Sequence, residues 1–281
     1  MQVRAWEWGL ALAFLVALVL WMAPLGMDDF SAVFWPAGRA SGDPYASGVY
    51  FYPIWNTWML RVLAIYPPQF GLSFLWACSI VYVVALAPVW GTPSWIALLC
   101  PPFLMAMLYG HPFDAMVLVG VTLLWSGWDR QEAWWMGIGL ALCLFKVQLG
   151  LVPALVATYQ MVFRARGRRW LGLAIPAGMV SLATWLEWVF YGRLWVGPWL
   201  EALCQAPKVA EAYNVAAVLK LHWFWFLWLP IGLWFLPQVQ GFRRRLWIAM
   251  ALNLLISPYW AGYSLYPLVA MAGCWTRRAE G

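Results

Sequence analysis

The sequence predicts an all-α, polytopic integral membrane helical bundle of about ten spans, several of them short, and three observations predict it. Ala, Val, Ile, Leu, Met, Phe, Trp, Tyr and Cys make up 65% of the 281 residues against 10% charged, with a mean hydropathy of +0.72. Such a chain cannot cover a water-facing surface. Apolar runs recur from Trp6 to Trp275 with only short breaks. Trp accounts for 25 residues, and many of them, such as Trp6, Trp8, Trp21, Trp90, Trp95 and Trp125, flank apolar runs, where indoles anchor at headgroup depth.

Taken in order, the run from Trp6 to Met22 has no small-residue cleavage site before Pro24-Leu25-Gly26, so it reads as a retained span rather than a signal peptide. The stretch 27–69 reads as a first non-cytoplasmic loop of short amphipathic helices. Asp29 or Ser31 can cap a helix running to about Arg39, and Gly42-Asp43-Pro44 ends it. A second, largely apolar helix runs from Ile54 to Ile65 and stops at Pro67-Pro68. Its Trp55, Met59, Val62 and Tyr66 share a face suited to the membrane interface. With the first span at about 6–25, the remaining helices fall at about 71–90, 94–109, 113–127, 134–146, 148–163, 170–190, 222–239, 246–257 and 262–275. A second non-cytoplasmic loop covers 191–221, and the whole chain, 1–281, reads as one transmembrane domain.

The stretch from Ala133 to Phe163 decides the topology. As a single span it would put Arg164, Arg166, Arg168 and Arg169 on the opposite side from Arg130, and a break at Lys146-Val147-Gln148 removes the conflict. The inner set is then Arg4, Arg130, those four arginines, Arg243, Arg244, Arg245, Arg277 and Arg278, which is 11 of the 17 basic residues. Both termini come out cytoplasmic by the positive-inside rule. The net charge of +6 is thus a topological signal and calls for no nucleic acid. The break also leaves helices of about 13 to 16 residues that reach about 20 to 24 Å, short of a hydrocarbon core about 30 Å thick. Their outer ends must turn inside the membrane, where non-helical backbone is tolerated only in protein or around a wet cavity. The sequence therefore predicts a polar cavity opening outward, at the turns Tyr109 to Asp114 and Lys146 to Gln148.

Ionisable residues at such depth are expensive and point to function. Asp28 and Asp29 follow the first span, and His111, Asp114 and Lys146 sit at the turns on the same side. Each also has a plainer explanation: the acids as solvated caps of a helix N-terminus, His111 as a turn hydrogen-bonder, Lys146 as a snorkelling side chain. Glu187 reads as interfacial, and Arg193, Glu201, Lys208 and Glu211 as solvated loop residues. The five cysteines, Cys78, Cys100, Cys143, Cys204 and Cys274, form no CxxC pair, so neither a disulfide framework nor a metal site is implied.

Several short stretches resemble the polyprenyl-phosphate-sugar-dependent transferases of the GT-C superfamily, specifically glycosyltransferase family 87. The series runs Asp29-Phe30, a short helix, Ala37-Gly38-Arg39-Ala40, Gly42-Asp43-Pro44-Tyr45 and Phe51-Tyr52-Pro53, similar to the family's Asp-aromatic, Gly-x-x-Pro-Tyr and Phe-x-Tyr-Pro. Tyr109-Gly110-His111 stands where the family has Gly-Gln, Lys146-Val147-Gln148 where it has Lys-Pro, and Ser257-Pro258-Tyr259-Trp260 resembles its late Ser-Pro-x-x-Trp. The Gly-Gln and Lys-Pro marks are altered, and the chain is shorter than typical members.

The resemblance implies a GT-C-like fold in a bacterial cytoplasmic membrane and inverting transfer of a hexosyl or pentosyl unit, mannosyl among them, at the non-cytoplasmic face. The donor is a lipid-linked sugar phosphate and the acceptor a hydroxyl of a glycan or glycolipid of the cell envelope. Such chemistry needs a carboxylate to take the acceptor's proton and cations to stabilise the leaving phosphate. Asp29 matches the family's first-loop acid, with Asp28 as its fallback. Lys146, and more weakly His111 and Arg39, would pair with the phosphate; Tyr45 and Tyr52 would stack on the sugar or hold the lipid; Asp114 and Gln148 complete the substrate-facing set. No cofactor or metal is called for. Two other classes stay open: a non-catalytic membrane scaffold or accessory subunit with a degenerate fold of this kind, and a small-molecule transporter lined by half-length helices, for which the sequence offers no internal repeat.

Overall fold

In the computed structural model, residues 4–21, 30–40, 42–47, 50, 52–109, 113–164, 168–202, 230, 234, 236–256 and 262–276 are described. They form helices and connecting turns, with no strand among them. The α-helices are α1 (Ala5–Trp21), α2 (Trp35–Arg39), α3 (Trp55–Leu63), α4 (Pro68–Trp90), α5 (Ser94–Leu99), α6 (Pro101–Tyr109), α7 (Phe113–Arg130), α8 (Ala133–Cys143), α9 (Val147–Tyr159), α10 (Ala174–Tyr191), α11 (Phe242–Ile256) and α12 (Tyr266–Met271). Wider π-type turns lead into α2 at Phe30–Phe34 and extend α9 at Gln160–Arg164.

The boundaries follow local chemistry. Pro68 opens α4 at a position where its missing N–H is not needed. Gly91, at φ 94°, closes α4 in the left-handed conformation, and the Gly91 and Thr92 amides turn back onto Pro88 and Ala87 carbonyls. The helix expected over 94–109 is two helices. Cys100 is extended at ψ 138°, as the residue before a proline prefers, so Pro101 ends one helix and starts the next. In the first loop α3 ends at Leu63, close to expectation; Trp55, Asn56, Leu60 and Leu63 are buried while Val62, Ile65 and Tyr66 face outward. Most of the helix expected over 222–239 lies outside the described residues.

α7 and α8 pack backbone to backbone at two glycines. A Cβ on Gly120 would stand 2.8 Å from the Gly139 carbonyl oxygen, and one on Gly139 would stand 2.7 Å from that of Gly120. Only hydrogen at both positions lets the backbones meet, the small-residue contact by which apolar helices associate. Buried indoles find acceptors: Trp76 Nε1 donates to Met107 O and Trp90 Nε1 to Thr122 Oγ1, both at 2.8 Å.

Two helical stretches, Pro68–Trp90 and Arg169–Phe190, are long and apolar enough to cross a membrane, and Ala5–Leu20 and Ala133–Cys143 are shorter apolar helices. The exterior is itself apolar. Leu12, Leu20, Phe163, Trp185, Trp188 and Phe190 are all exposed, and α1 has no polar face.

Candidate functional site

The site grows from the break between α8 and α9. α8 ends at Cys143, Leu144 and Phe145 form a turn, and Lys146 (φ −131°, ψ 89°) leaves helical space before α9 resumes at Val147. A helix end inside a protein must find partners for its carbonyls. Here the first loop supplies them: Asn56 Nδ2 donates to Phe145 O at 2.7 Å and Trp55 Nε1 to Leu144 O at 3.3 Å. From the other side Asn253 on α11 inserts its carboxamide into the first turn of α9. Its Oδ1 accepts from the Val152 amide at 2.6 Å and its Nδ2 donates to the Gln148 carbonyl. Val152 N–H and Gln148 C=O are four residues apart, the spacing of a helical hydrogen bond, so the carboxamide clamps the first turn of α9. The break is thus held open from both flanks.

The break turns Lys146 inward. Its Nζ lies 2.5 Å from Asp114 Oδ1 and donates to Ser264 Oγ at 3.1 Å, and the two charged side chains are only 3% and 0% exposed. Asp114 occupies the first turn of α7, and Ser264 the 3₁₀ turn Gly262–Leu265 before α12. Asp114 Oδ2 and the Tyr266 hydroxyl are buried and make no hydrogen bond among the described residues. Burying two charges costs several kcal/mol per ion, roughly, and their attraction repays this only with good geometry and further hydrogen bonds. A short contact plus one hydroxyl meets that condition for the ammonium, while half of the carboxylate is left unmatched. Lys146 therefore does not snorkel, and Asp114 serves as an ion-pair partner more than as a helix cap.

An aromatic layer from the first loop adjoins this pair. Phe34 meets Tyr52 and Phe113 edge-on, with ring centroids 5.1 and 5.0 Å apart. Tyr52 also lies 5.1 Å from Phe113, the residue before Asp114. Tyr45 donates from its hydroxyl to Tyr52 O at 2.9 Å, and its own amide is held by Asp43 Oδ1. Burial pushes the Tyr45 phenol well above the usual tyrosine range, with the charges of Glu187 and Asp43 adding to it, so it stays a neutral donor. The second loop begins against the same layer: Arg193 pairs with Asp43 at 2.9 Å, and the Trp195 ring meets Trp55 edge-on at 5.3 Å.

Of the expected site residues, Lys146 and Asp114 are joined directly, and Tyr52 stands beside them through Phe113. Tyr45 acts through Tyr52. Gln148 is half-buried, two residues along from Lys146, with Oε1 inaccessible and unbonded among the described residues. Arg39 is exposed and stacks its guanidinium on the Trp35 ring at 4.9 Å, so it is held apart from the pair. Asp28, Asp29, His111 and the Ser257 to Trp260 stretch lie outside the described residues. Ser264, Tyr266, Asn56 and Asn253 were not expected. The two asparagines had a signal, each being the one carboxamide of its helix; Ser264 and Tyr266 sit in an ordinary-looking run and are placed by the fold alone. Among the described residues, no three His, Cys, Asp or Glu side chains group closely enough to hold a metal ion.

No family model, curated protein or solved structure matches the chain.

Proposed function

We propose that the chain is a polytopic membrane protein of GT-C type that transfers a sugar, with inversion, from a polyprenyl-phosphate donor to an acceptor hydroxyl at the non-cytoplasmic face. The observation that carries this reading is the buried Lys146–Asp114 pair at a broken helix beneath an aromatic first loop. An ion pair in apolar surroundings is a poor source of stability, and ionisable residues at this depth mark a binding path by default. The apolar exterior and the unequal lengths of the helices support the membrane assignment.

In the proposed reaction the acceptor oxygen attacks the anomeric carbon, and the bond from that carbon to the phosphate oxygen breaks. The electron pair leaves on the polyprenyl phosphate, and the acceptor proton passes to a carboxylate, which the family resemblance assigns to Asp29, with Asp28 behind it. Lys146 supplies the cation. An ammonium carries three donors, so it can exchange one of its present acceptors for a phosphate oxygen while Asp114 keeps it aimed. Tyr52 and Gln148 face the sugar and the lipid head, and His111 and Arg39 are subsidiary contacts to the phosphate. A second reading, a non-catalytic scaffold, is favoured by one specific observation: the Lys146 ammonium already has acceptors within the protein and ties α7, the start of α9 and the turn before α12 together.

Transfer of labelled sugar from a polyprenyl-phosphate donor in membranes containing the full chain separates the two. The enzyme reading expects turnover by the wild type and its loss, by at least about a hundredfold as for a removed general base, in Asp29→Asn. Unchanged turnover in that variant removes the base assignment, and absence of turnover with every such donor leaves the scaffold.

A further inference from the structure

We infer that the chain carries a second site, a pocket for an anionic phospholipid at the end of α9 opposite Lys146. This inference rests on the membrane reading but not on the transferase reading. The pocket lies between the end of α9 and the start of α11, holds about 390 Å³, and is lined by Val152, Leu155, Val156 and Tyr159, with Gln160, Arg164, Leu236, Pro237 and Arg245 around them. The first four recur at helical spacing and give one apolar wall. The π-type turn Gln160–Arg164 then widens the helix where the wall ends, a distortion often found at functional sites.

Polar groups collect only at that end. Gln160 is 93% buried (7% exposed), and its carboxamide lines the pocket. Arg164 is exposed, and Arg245 donates from Nε to Val239 O at 2.8 Å; both arginines line the pocket. Among the described residues, no carboxylate lines it. Two guanidiniums and a carboxamide above an apolar wall match a phosphodiester above acyl chains: planar forks for the phosphate oxygens and apolar surface for the methylenes. Beyond the pocket, Tyr159 and Phe163 stack with centroids 5.1 Å apart on the exposed face, continuing the apolar track. By the positive-inside rule this end is cytoplasmic, where basic pockets between helices take anionic headgroups. From Val147 to Arg164 the helix runs about 25 Å, which sets the pocket's charged end, though not its apolar wall at Val152, far from Lys146.

The test uses the full chain in mixed micelles, with phosphatidylglycerol, phosphatidylcholine or inorganic phosphate as probe, read by native mass spectrometry and thermal unfolding. Phosphatidylglycerol should be retained and raise the unfolding temperature, and retention should fall about tenfold or more in Arg164→Gln/Arg245→Gln. It should fall likewise in Val156→Trp, which fills the apolar wall and keeps both arginines. Equal retention in either variant, equal binding of phosphatidylcholine, or the same stabilisation by inorganic phosphate alone overturns the proposal. Alkaline carbonate extraction of the wild type provides the separate control: release of the chain would remove the membrane reading beneath it, whereas retention with lost lipid selectivity removes this inference alone.

Discussion

Replacing Lys146 by Met leaves Asp114 in an apolar cage without its cation. Both side chains are essentially inaccessible and sit 2.5 Å apart, so little water can take the place of the lost ammonium. Breaking a buried pair from one side costs about 3–5 kcal/mol, whereas replacing both partners with apolar residues of similar volume is neutral or stabilising by about 1–4 kcal/mol. Lys146→Met and Asp114→Leu should each destabilise by about 3–5 kcal/mol, and the double variant should lie at or above wild type. Unfolding in dodecylmaltoside with rising SDS, followed by circular dichroism for all four proteins of the cycle, measures this. Singles that each lose less than about 1 kcal/mol, or effects that simply add, would show that the pair is neither buried nor coupled as described. The double variant also separates stability from chemistry: it should fold well and transfer no sugar.

Three further predictions use the same unfolding assay. Gly150→Ala drives a Cβ into the Cys143 carbonyl, a backbone atom that cannot step aside, and should destabilise by about 1–3 kcal/mol. Asn253→Leu removes the bridge between Gln148 O and Val152 N; because these two groups can re-pair, the loss should be about 1–2 kcal/mol, and a loss above that range would mean the break at Lys146 depends on Asn253 alone. Burial raises the Tyr45 phenol above its ordinary value, so its contribution is intact below the unfolded tyrosine value of about 10 and is lost as pH rises through the folded one. Tyr45→Phe should flatten that alkaline decline relative to wild type, and an identical decline in both proteins would refute the assignment.

The apolar runs and breakers placed the helices well where a single residue type sets the boundary. Pro67-Pro68, Gly91 and the Lys146 break are local signals that tertiary contacts do not reverse. The break at Cys100-Pro101 was missed: apolar residues continue on either side of it, and periodicity cannot separate one long buried helix from two short ones. The site was partly readable. Lys146 and Asp114 stand out because ionisable groups are rare in this chain, yet nothing in a sequence says that residues 32 positions apart will share a proton environment rather than face a ligand separately. Ser264 joins them from 118 residues away, a placement that depends on how α12 returns to the bundle. Arg39 has a local partner that its charge alone did not announce: its guanidinium lies over the ring of Trp35, four residues earlier on the same helix face.

A density map of the full chain with a polyprenyl phosphate bound in lipid nanodiscs tests the central claim most directly. The account predicts a phosphate within hydrogen-bonding distance of Lys146 Nζ, with the lipid chain leaving beneath the first loop past Tyr52. A phosphate bound elsewhere while the Lys146–Asp114–Ser264 contacts stay closed would contradict it.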